Sequence, residues 1–596
     1  MRLVSVIAIA LLSACSQVEA PALLPLPKEI TYLHGTVPAT TPVSCKKVEA
    51  IPEAKLNGGE AYRLSVGRDS VRIEAVSEEG FWNARQTLLQ LSQDGRLPLC
   101  KLTDWPSFRV RGWMMDVGRT YISLEELYRE VDVFSHFKLN VFHLHLTENQ
   151  AWRLESLKYP QLNAPGSMER QPGLYYTQDQ MRALDAYCRE RGVTLVPEID
   201  MPGHSAAFER AMGFGMQTPE GKEVVKDLLE ELMGVFSSPY IHIGTDEVRF
   251  TDPEFVPEMV SFVRSHGRKV ISWNPGWKYA PGEIDATQLW SYRGKAQKGI
   301  PAVDCRLHYI NHYDLFGDIV GLHTSRIYYA DEGSDDLAGS IIALWNDRYL
   351  PEEEAILREN NLYASALALS DRAWRGGGYQ YFDDFGTILP EEGPAREDFA
   401  DFERRMLSFR ETALKDVPFP YVAQTDAHWF LSPVYPNDGD LDAVFAPEEG
   451  PWEPERRVSG SGIYLRHVWG PSIVSGVYPD PRPCSTVYAA ARVWSEKSQT
   501  AGLLFETQNH SRSEHDAPAP EGAWDHRHSR LWINGEEILP PAGTVHLEKG
   551  WNTVLVKLPV GAFSTAETRL VKWMFTCAFT TPDGRRAAPL KYSTQW

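Results

Sequence analysis

Two adjacent carboxylates, Asp246 and Glu247, are the residues of this chain with the clearest capacity for chemistry. They follow residues 240–244, a short apolar run with β-branched side chains that closes on glycine, and this pattern predicts a buried strand. A carboxylate pair at the carboxyl end of a buried strand is where a (β/α)8 barrel places catalytic groups. The same pair could instead belong to a solvated loop or cap the next helix. The elements around the pair decide between these interpretations.

Eight apolar runs separated by helical patterns predict parallel strands, and eight such strands predict closure into a barrel. The predicted strands are residues 110–116, 140–146, 193–199, 240–244, 270–273, 287–290, 307–310 and 340–345. Helix-capping patterns start two of the intervening helices, with Ser123 before Glu126 and Thr177 before Gln180. A helix over about residues 397–415 is predicted to end the barrel.

Polar and aromatic side chains follow the predicted strands at the same end. Because the carboxyl ends of parallel strands meet on one rim, we expect these side chains to surround Asp246 and Glu247. In chain order they are Arg119, Glu148, Asn149, Trp152, Asp200, His204, Trp273, Trp290, Tyr309, Asn311, Trp345 and Asp347.

With 596 residues, the chain is too long for one domain. Alternating apolar and polar residues at 60–66 and 70–75, followed by an apolar helical stripe at 80–91, predict a small α/β domain over residues 20–105. Residues 106–418 carry the barrel pattern. Residues 421–596 read as an all-β, jelly-roll-like sandwich, with a hairpin turn at Asn534-Gly535. The predicted fold class is α/β: a (β/α)8 TIM barrel with a small N-terminal α/β domain and a C-terminal all-β sandwich.

Composition excludes some partners. Lys and Arg number 60 against 80 Asp and Glu, which leaves a net charge of −20. A nucleic acid or an anionic membrane surface would require a basic face, so neither is expected as a partner. The hydrophobic share of 43% is sufficient for large cores.

The first 15 residues resemble a bacterial lipoprotein signal peptide. Arg2 precedes an apolar run over residues 3–12, which is too short to span a bilayer, and Leu12-Ser-Ala-Cys15 resembles a lipobox. The alternative is an ordinary signal peptide with a chance cysteine. Either predicts export, and lipidation of Cys15 with no Asp after it predicts the outer membrane. Export permits disulfides, with Cys45–Cys100 as a possible pair. The chain has no C-x-x-C spacing, so a zinc or thiol-redox site is unsupported.

Four motifs carry a family resemblance. They are Arg111-Gly-Trp-Met-Met-Asp-Val-Gly-Arg119, Asn140-Val-Phe-His-Leu-His-Leu146, Asp200-Met-Pro-Gly-His204 and His242-Ile-Gly-Thr-Asp-Glu247. Together and in this order they resemble glycoside hydrolase family 20, the β-N-acetylhexosaminidases. The resemblance covers about residues 20–415, and the tail more weakly resembles β-sandwich modules appended to some bacterial members.

The resemblance implies an exo-acting β-N-acetylhexosaminidase with a substrate-assisted retaining mechanism and with no cofactor or metal ion. The 2-acetamido oxygen of the sugar would attack the anomeric carbon and form an oxazolinium intermediate. Glu247 would be the general acid and then the general base. Asp246 would hold the acetamide N–H and stabilise its developing positive charge. These roles require a neutral Glu247 and an ionised Asp246 at working pH.

The resemblance also implies roles around the sugar. It implies that Tyr309 donates to the acetamide oxygen, that three tryptophans enclose the acetamide methyl, that Arg119 and Asp347 bind ring hydroxyls, and that two residues support the acid. The tryptophans are Trp273, Trp290 and Trp345, the supporting residues are Asp200 and His204, and Glu148 and Asn311 complete the predicted substrate-binding set.

Three positions depart from the family pattern. Thr245 stands where the second glycine of Gly-Gly-Asp-Glu is usual, Glu148-Asn149 stands for Asp-Asp, and Asp347 is often Glu. The last two could change which sugar is preferred, and the sequence leaves the choice between gluco and galacto epimers open.

Two alternatives remain. The pair His143-x-His145 places two imidazoles on one side of a strand, as in a metal-dependent barrel hydrolase, although core histidines satisfied by hydrogen bonds are the favoured interpretation. His204 and His242 are the nearest further ligands. The second alternative is a non-catalytic sugar-binding lipoprotein that uses the C-terminal sandwich, where nine of the tryptophans lie between Trp429 and Trp596.

Overall fold

A computed structural model of the chain contains a small N-terminal domain, a barrel and a two-sheet C-terminal domain. This confirms the predicted fold class. The structure describes residues 20–311, 314–316, 318–379, 387–468, 474, 476–478, 482–509, 528–540, 542–563 and 571–596. The predicted signal peptide and Cys15 lie outside the described residues. Within these ranges, no helix has both the length and the apolar character needed to cross a bilayer.

The N-terminal domain is a five-stranded sheet, in the order β1-β5-β3-β4-β2, with one helix packed against it. Its elements are β1 (Glu29–Pro38), β2 (Val43–Lys47), β3 (Tyr62–Val66), β4 (Val71–Ala75), α1 (Glu78–Leu91) and β5 (Arg96–Asp104). Alternate residues of β3 and β4 are buried against α1, as the alternating sequence pattern requires.

The possible disulfide between Cys45 and Cys100 is absent, since both residues are free cysteines. Cys45 lies on β2 and Cys100 on β5, and β3 and β4 separate these strands in the sheet. Three strand spacings amount to about 14 Å. A disulfide requires the two Cα atoms to lie within about 7 Å, so the sheet order prevents this pairing.

The second domain is a closed barrel of eight parallel strands. The strands are β6 (Val110–Asp116), β7 (Val141–His145), β8 (Thr194–Glu198), β9 (Tyr240–His242), β10 (Lys269–Asn274), β11 (Ala286–Leu289), β12 (Ala302–Asp304) and β13 (Leu337–Leu344). The described helices around it are α2 (Leu124–His136), α3 (Gln178–Glu190), α4 (Ala206–Met212), α5 (Pro219–Val235), α6 (Phe255–Ser265), α7 (Ile319–Thr324), α8 (Glu353–Glu359), α9 (Leu362–Arg375) and α10 (Pro394–Ser408).

The predicted seventh strand was wrong. The strand is Ala302–Asp304, and residues 307–310 follow it in a segment where Tyr309 makes only an isolated bridge to Ala343. Leu307 and Ile310 are buried in the main core, which accounts for the apolar pattern without a strand. An apolar run of four residues indicates burial, and burial alone does not distinguish a strand from a packed loop.

Both predicted helix caps are present, but only the one at Thr177 is a complete capping box. Thr177 and Gln180 form a reciprocal capping box at α3. At α2, Ser123 accepts from the Glu126 amide, but the Glu126 carboxylate binds Arg129 and Tyr363 instead of closing the box.

The C-terminal domain packs two antiparallel sheets face to face around its own core. One sheet has the order β16-β14-β18-β23-β20-β21, with β15 and β25 pairing to β18, and the other has the order β17-β24-β19-β22. The elements are β14 (His428–Leu431), β15 (Tyr435–Pro436), α11 (Ala446–Glu449), β16 (Arg456–Ser459), β17 (Gly462–Arg466), β18 (Ser485–Ser495), β19 (Gln499–Gln508), β20 (Arg530–Ile533), β21 (Glu536–Ile538), β22 (Thr544–Leu547), β23 (Gly550–Val560), β24 (Trp573–Thr580) and β25 (Leu590–Tyr592).

The predicted hairpin is present, with Asn534 and Gly535 both at positive φ between β20 and β21. The four-stranded sheet packs on the barrel, since Leu504 and Ala578 from its outer face join the main barrel core. A buried ion pair between Lys572 and Asp314 (3.1 Å) reinforces this contact. The outer face of the larger sheet therefore points away from the barrel.

Candidate active site

The turn after β9 separates the two adjacent carboxylates. Gly244, Thr245 and Glu247 have φ values of 66°, 89° and 48°, so three of four consecutive residues lie in the left-handed region. For a β-branched residue such as Thr245 this conformation costs about 1–3 kcal/mol and requires support from its surroundings. Asp200 supplies that support, because its Oδ1 accepts the Thr245 N–H at 3.2 Å. A Cβ at position 244 would lie 1.7 Å from the same oxygen, so glycine is required there.

As a result, Asp246 and Glu247 occupy different environments. Asp246 is 7% exposed, and among the described residues none donates a hydrogen bond to its Oδ1. Burial raises the pKa of Asp246 to about 6, although the nearby His204 opposes the shift. The Glu247 side chain is 55% exposed and lines an open cleft together with Thr245 and Trp290.

His204, from the segment after β8, links the carboxylate of Glu247 to a buried one. Its Nδ1 lies 3.0 Å from Oε1 of Glu148, and its Nε2 lies 3.6 Å from Oε2 of Glu247. Burial alone would lower the pKa of His204, but the contact with Glu148 and the charges of Asp200 and Asp246 raise it to about 10. His204 is therefore a cation at neutral pH, fixed between two glutamates.

Arg119 is the centre of a polar cluster at the ends of the first, second and eighth strands. Its guanidinium lies 2.9 Å from Asp116, 2.6 Å from Glu148 and 3.6 Å from Asp347, and 5.1 Å over the ring of Trp345. Burial alone would raise the pKa of Glu148, but the charge of Arg119 outweighs burial and lowers it. The guanidinium is consequently held in one orientation at the rim.

Asp347 extends this cluster into the cleft. Its side chain is 28% exposed, and its Oδ2 accepts from the side-chain amide of Asn311 at 3.0 Å. The Oδ1 of Asn311 has no hydrogen-bond partner among the described residues. The two side chains thus offer carboxylate and amide oxygens that can accept from a ligand.

The four aromatic residues of the predicted set belong to one cluster at the top of the barrel. The ring of Trp345 lies 5.8 Å from that of Tyr309 and 5.8 Å from that of Trp273. Trp273 is wholly buried, whereas Trp290 is half-buried and donates from its indole N–H to the Pro275 carbonyl at 2.6 Å. The cluster forms an apolar floor between Asp246 and Asp347.

Sequence reasoning missed Glu198, the last residue of β8. Its carboxylate lies beneath the aromatic floor and accepts from the Trp273 indole N–H at 2.7 Å. His145 Nδ1 and His143 Nε2 lie 2.6 and 2.9 Å from the other carboxylate oxygen, Oε2. Burial opposes the charged form of His145, but Glu198 outweighs burial and raises the pKa of His145. His143 stays neutral, since burial lowers its pKa to about 4.

A metal site was the first alternative for these histidines. Two groups of described residues bring three possible ligand atoms within 4.8 Å: His143, Glu198 and His242, and Asp200, His204 and Asp246. In the first group the histidine nitrogens face Glu198, whose oxygens already accept from an indole and two imidazoles. These contacts agree with the favoured interpretation for His143, whose two ring nitrogens both have hydrogen-bond partners, whereas Nε2 of His145 and Nε2 of His242 have none among the described residues.

Four of the predicted rim residues are enclosed by protein. Glu148, Asp200 and Trp273 are each at most 1% exposed, and Trp152 is 2% exposed. Asn149 uses its side-chain oxygen to accept the Ala206 amide at the start of α4. These buried residues do not reach the cleft, so they can affect a ligand only by positioning the side chains that do. The rim residues with exposed or partly exposed surface are Arg119, Asn149, His204, Glu247, Trp290, Tyr309, Asn311 and Asp347.

Comparison with known proteins follows the same division of the chain. Residues 108–218 match the model of the glycosyl hydrolase family 20 catalytic domain, and residues 39–105 match domain 2 of that family. A beta-hexosaminidase of Vibrio furnissii is 33% identical over 280 residues, covering 40% of this chain and 45% of that protein. A beta-N-acetylhexosaminidase of Cellulomonas fimi is 30% identical over 320 residues, covering 47% of this chain and 62% of that protein. The chain thus spans roughly half the length of these curated relatives.

Solved structures share the fold. A beta-N-acetylhexosaminidase from Bacteroides fragilis superposes with a TM-score of 0.55 at 23% identity, covering 66% of this chain and 96% of that one. An exo beta-N-acetylglucosaminidase from Vibrio harveyi, solved in complex with N-acetylglucosamine, superposes with a TM-score of 0.53 at 22% identity, covering 67% and 78%.

Proposed function

We propose that the chain, in which residues 39–105 and 108–218 match two domain models of glycosyl hydrolase family 20, is an exo-acting β-N-acetylhexosaminidase of that family. It would release terminal, non-reducing, β-linked N-acetylglucosamine or N-acetylgalactosamine from a glycan. The reaction would be retaining, with the substrate's own acetamide as the nucleophile.

The contrast between Asp246 and Glu247 carries this proposal. A buried carboxylate oxygen without a partner is costly unless a donor fills the site, and an acetamide N–H is a donor of the right kind. Glu247, on the open side, can reach the oxygen of a leaving group and exchange protons with water. One turn of backbone thus presents an anionic clamp and a proton donor to two parts of one sugar.

The reaction can be written with these groups. Asp246 accepts the acetamide N–H and orients the acetamide oxygen, which forms a bond to the anomeric carbon as the glycosidic bond breaks. Glu247 gives its proton to the departing oxygen. Water then attacks the oxazolinium, Glu247 takes back a proton, and the acetamide is regenerated with retained configuration. Holding the nucleophile in place makes the first step intramolecular, which is worth several powers of ten in rate.

The polar cluster at the other end of the floor supports exo action. Arg119, Asp347 and Asn311 can bind the outer hydroxyls of a terminal sugar. Glu148 would act by positioning Arg119 and His204, because its own carboxylate is enclosed by them. Trp345, Trp290 and Tyr309 would contact the acetamide, and Trp273 would support Trp345 from below.

Hydrolysis of a chromogenic β-N-acetylglucosaminide by the purified chain tests the proposal. We expect the unsubstituted chain to turn this substrate over. We expect Glu247→Gln to abolish turnover of a β-N-acetylglucosaminide with a poor leaving group, because such a leaving group needs the proton that Glu247 donates. Glu254→Gln, an exposed glutamate on the same loop, is the control and should leave the rate unchanged. Binding of the sugar without turnover by the unmodified chain would favour the non-catalytic alternative.

We also propose that the protein is an exported lipoprotein anchored through Cys15, with the outer membrane as its location. The charge at Arg2, the apolar run over residues 3–12 and the Leu12-Ser-Ala-Cys15 sequence support this proposal. Metabolic labelling with a palmitate analogue should mark the wild-type chain and Cys45→Ser, and it should not mark Cys15→Ser. Labelling of Cys15→Ser would contradict it.

A further inference from the structure

The C-terminal domain contains a second cavity, on the outer face of its larger sheet. The cavity has a volume of about 440 Å³, within the range of small-ligand sites. Its floor includes Ala490 and Leu555, and its walls include Trp452, Trp532 and Trp596. We refer to it as the tryptophan groove.

Strand register places these residues on one face. Phe430 of β14 pairs with Ala490 of β18, Ala490 pairs with Leu555 of β23, and Leu555 pairs with Trp532 of β20. Paired residues in neighbouring strands point to the same side of a sheet. A row of small or flat apolar side chains therefore crosses four strands and ends in an indole.

The opposite wall is a pair of indoles. The rings of Trp452 and Trp596 lie 4.4 Å apart, and Trp596 lies 5.4 Å from Phe430 at the start of the row. Three strand spacings, about 14 Å, separate β14 from β20. The groove is thus a trough between two aromatic platforms, with room for a flat ligand between them.

Packing of the domain does not require these indoles. The core between the sheets uses the residues that point the other way, including Trp429, Leu431 and Val554. Trp596 is 44% exposed, and Trp452 and Trp532 are half-buried. Aromatic surface concentrated around a cavity marks an interaction site more often than a chance exposure.

The polar lining is sparse and nearly neutral. Glu448 is engaged by Lys557 at 2.9 Å, so their charges offset each other. Arg492 stands over the exposed ring of Trp551 at 5.2 Å, and with Thr553 it offers hydrogen-bond donors beside the floor. Arg492 is the only cation among the described residues that line the groove, which is too little positive charge for a polyanion. A ring with an apolar face and a rim of hydroxyls would match both the indoles and the donors.

From these observations we propose that the tryptophan groove is a second, non-catalytic binding site for a neutral glycan chain. The groove is lined by 12 residues, whereas a stable protein interface uses about 20–30 residues on each side. The groove lies on the sheet that faces away from the barrel, so a bound polysaccharide would not occupy the active site. The proposal holds whether or not the barrel hydrolyses acetamido sugars.

Affinity electrophoresis of the full chain tests whether the tryptophan groove binds a neutral glycan. The gels contain glycol chitin, hydroxyethyl cellulose or xylan. We expect retardation in at least one of these gels, at least tenfold weaker affinity for a Trp532→Ala, Trp596→Ala double variant, and little change for Trp551→Ala. Trp551 is the matched control because it is 46% exposed on the same sheet and reaches the groove only through its contact with Arg492. All three proteins should hydrolyse a small chromogenic substrate at the same rate.

A measurement on the unsubstituted chain guards against a folding defect in the double variant. The retarding polysaccharide should protect Trp532 and Trp596 from oxidation by N-bromosuccinimide and leave Trp551 reactive, as read by peptide mass spectrometry. Absence of retardation in every neutral gel, stronger retardation by heparin, or equal protection of all three tryptophans would overturn the proposal.

Discussion

Asp246 and Glu247 are consecutive in the chain, yet Asp246 is 7% exposed and the Glu247 side chain is 55% exposed. The left-handed backbone at Thr245 and Glu247 turns them to different sides, and Asp200 holds that turn. The buried carboxylate carries the charge that the proposed mechanism requires. Its pKa of about 6 means that this charge is present only above mildly acidic pH.

Asp246→Asn should reduce catalysis strongly. Asparagine has almost the same shape, but it carries no charge to stabilise the positive acetamide of the transition state. We expect kcat for a chromogenic β-N-acetylglucosaminide to fall by about 10²–10³, the usual effect of losing one preorganised electrostatic group. Asp335→Asn, on an exposed loop, is the control. An unchanged kcat in the Asp246 variant would show that the residue does not act on the acetamide.

The pH profile should report the titration of Asp246. Burial raises its pKa to about 6, and only the ionised form can stabilise a cation. We therefore expect kcat/KM to decline as the pH falls below about 6, through loss of the negative charge. In Asp246→Asn the residual activity should lack this acidic limb. An identical limb in both proteins would assign it to another group.

The ionised side chain of Asp246 should lower the free energy of unfolding at neutral pH. Its pKa is near 4 when unfolded and about 6 when folded, so the folded state binds the proton more tightly and becomes less stable as the pH rises between these values. We expect Asp246→Asn to be more stable than wild type by about 2–3 kcal/mol above pH 6, at 1.36 kcal/mol per pKa unit. Urea unfolding of both proteins at pH 4 and at pH 7.5 measures the difference in the free energy of unfolding. If the two proteins are equally stable at pH 7.5 as well as at pH 4, other groups compensate the buried charge.

Much of the fold could be predicted because the barrel strands have strong local patterns. The first four predicted strands are rich in apolar residues, and the structure agrees with their bounds to within two residues at each end. The seventh strand could not be located, since Leu307 and Ile310 are as apolar as a strand but are buried in the segment that follows it. Register and sheet order, which depend on distant contacts, also separated Cys45 from Cys100.

The rim residues could be predicted because parallel strands bring their carboxyl ends together whatever their detailed packing. The role of Glu198 was not predicted, because no residue near it in the sequence indicates which groups its carboxylate contacts. That role appears only when β7, β8 and β10 bring two histidines and an indole to one carboxylate. The pattern Pro197-Glu-Ile-Asp200, with a charge at the end of an apolar strand, was the available clue.

Glu198→Gln should destabilise the barrel. It leaves the protonated His145 without its counter-ion at 2.6 Å in a fully buried position. Breaking a buried pair by removing one partner costs about 3–5 kcal/mol. We expect a loss of that order in the free energy of unfolding at pH 7, with almost no loss for the exposed Glu230→Gln. A loss below about 1 kcal/mol would mean that His145 is neutral and that the ion pair is absent.

In the proposed mechanism the substrate supplies the nucleophile. This is tested most directly by comparing kcat/KM for the p-nitrophenyl β-glycosides of N-acetylglucosamine and glucose, which share a leaving group and differ only in the acetamide. We expect the glucoside to be cleaved at least about a thousandfold more slowly, because an intramolecular nucleophile has an effective concentration far above that of any external one. Comparable values for the two glycosides would contradict it.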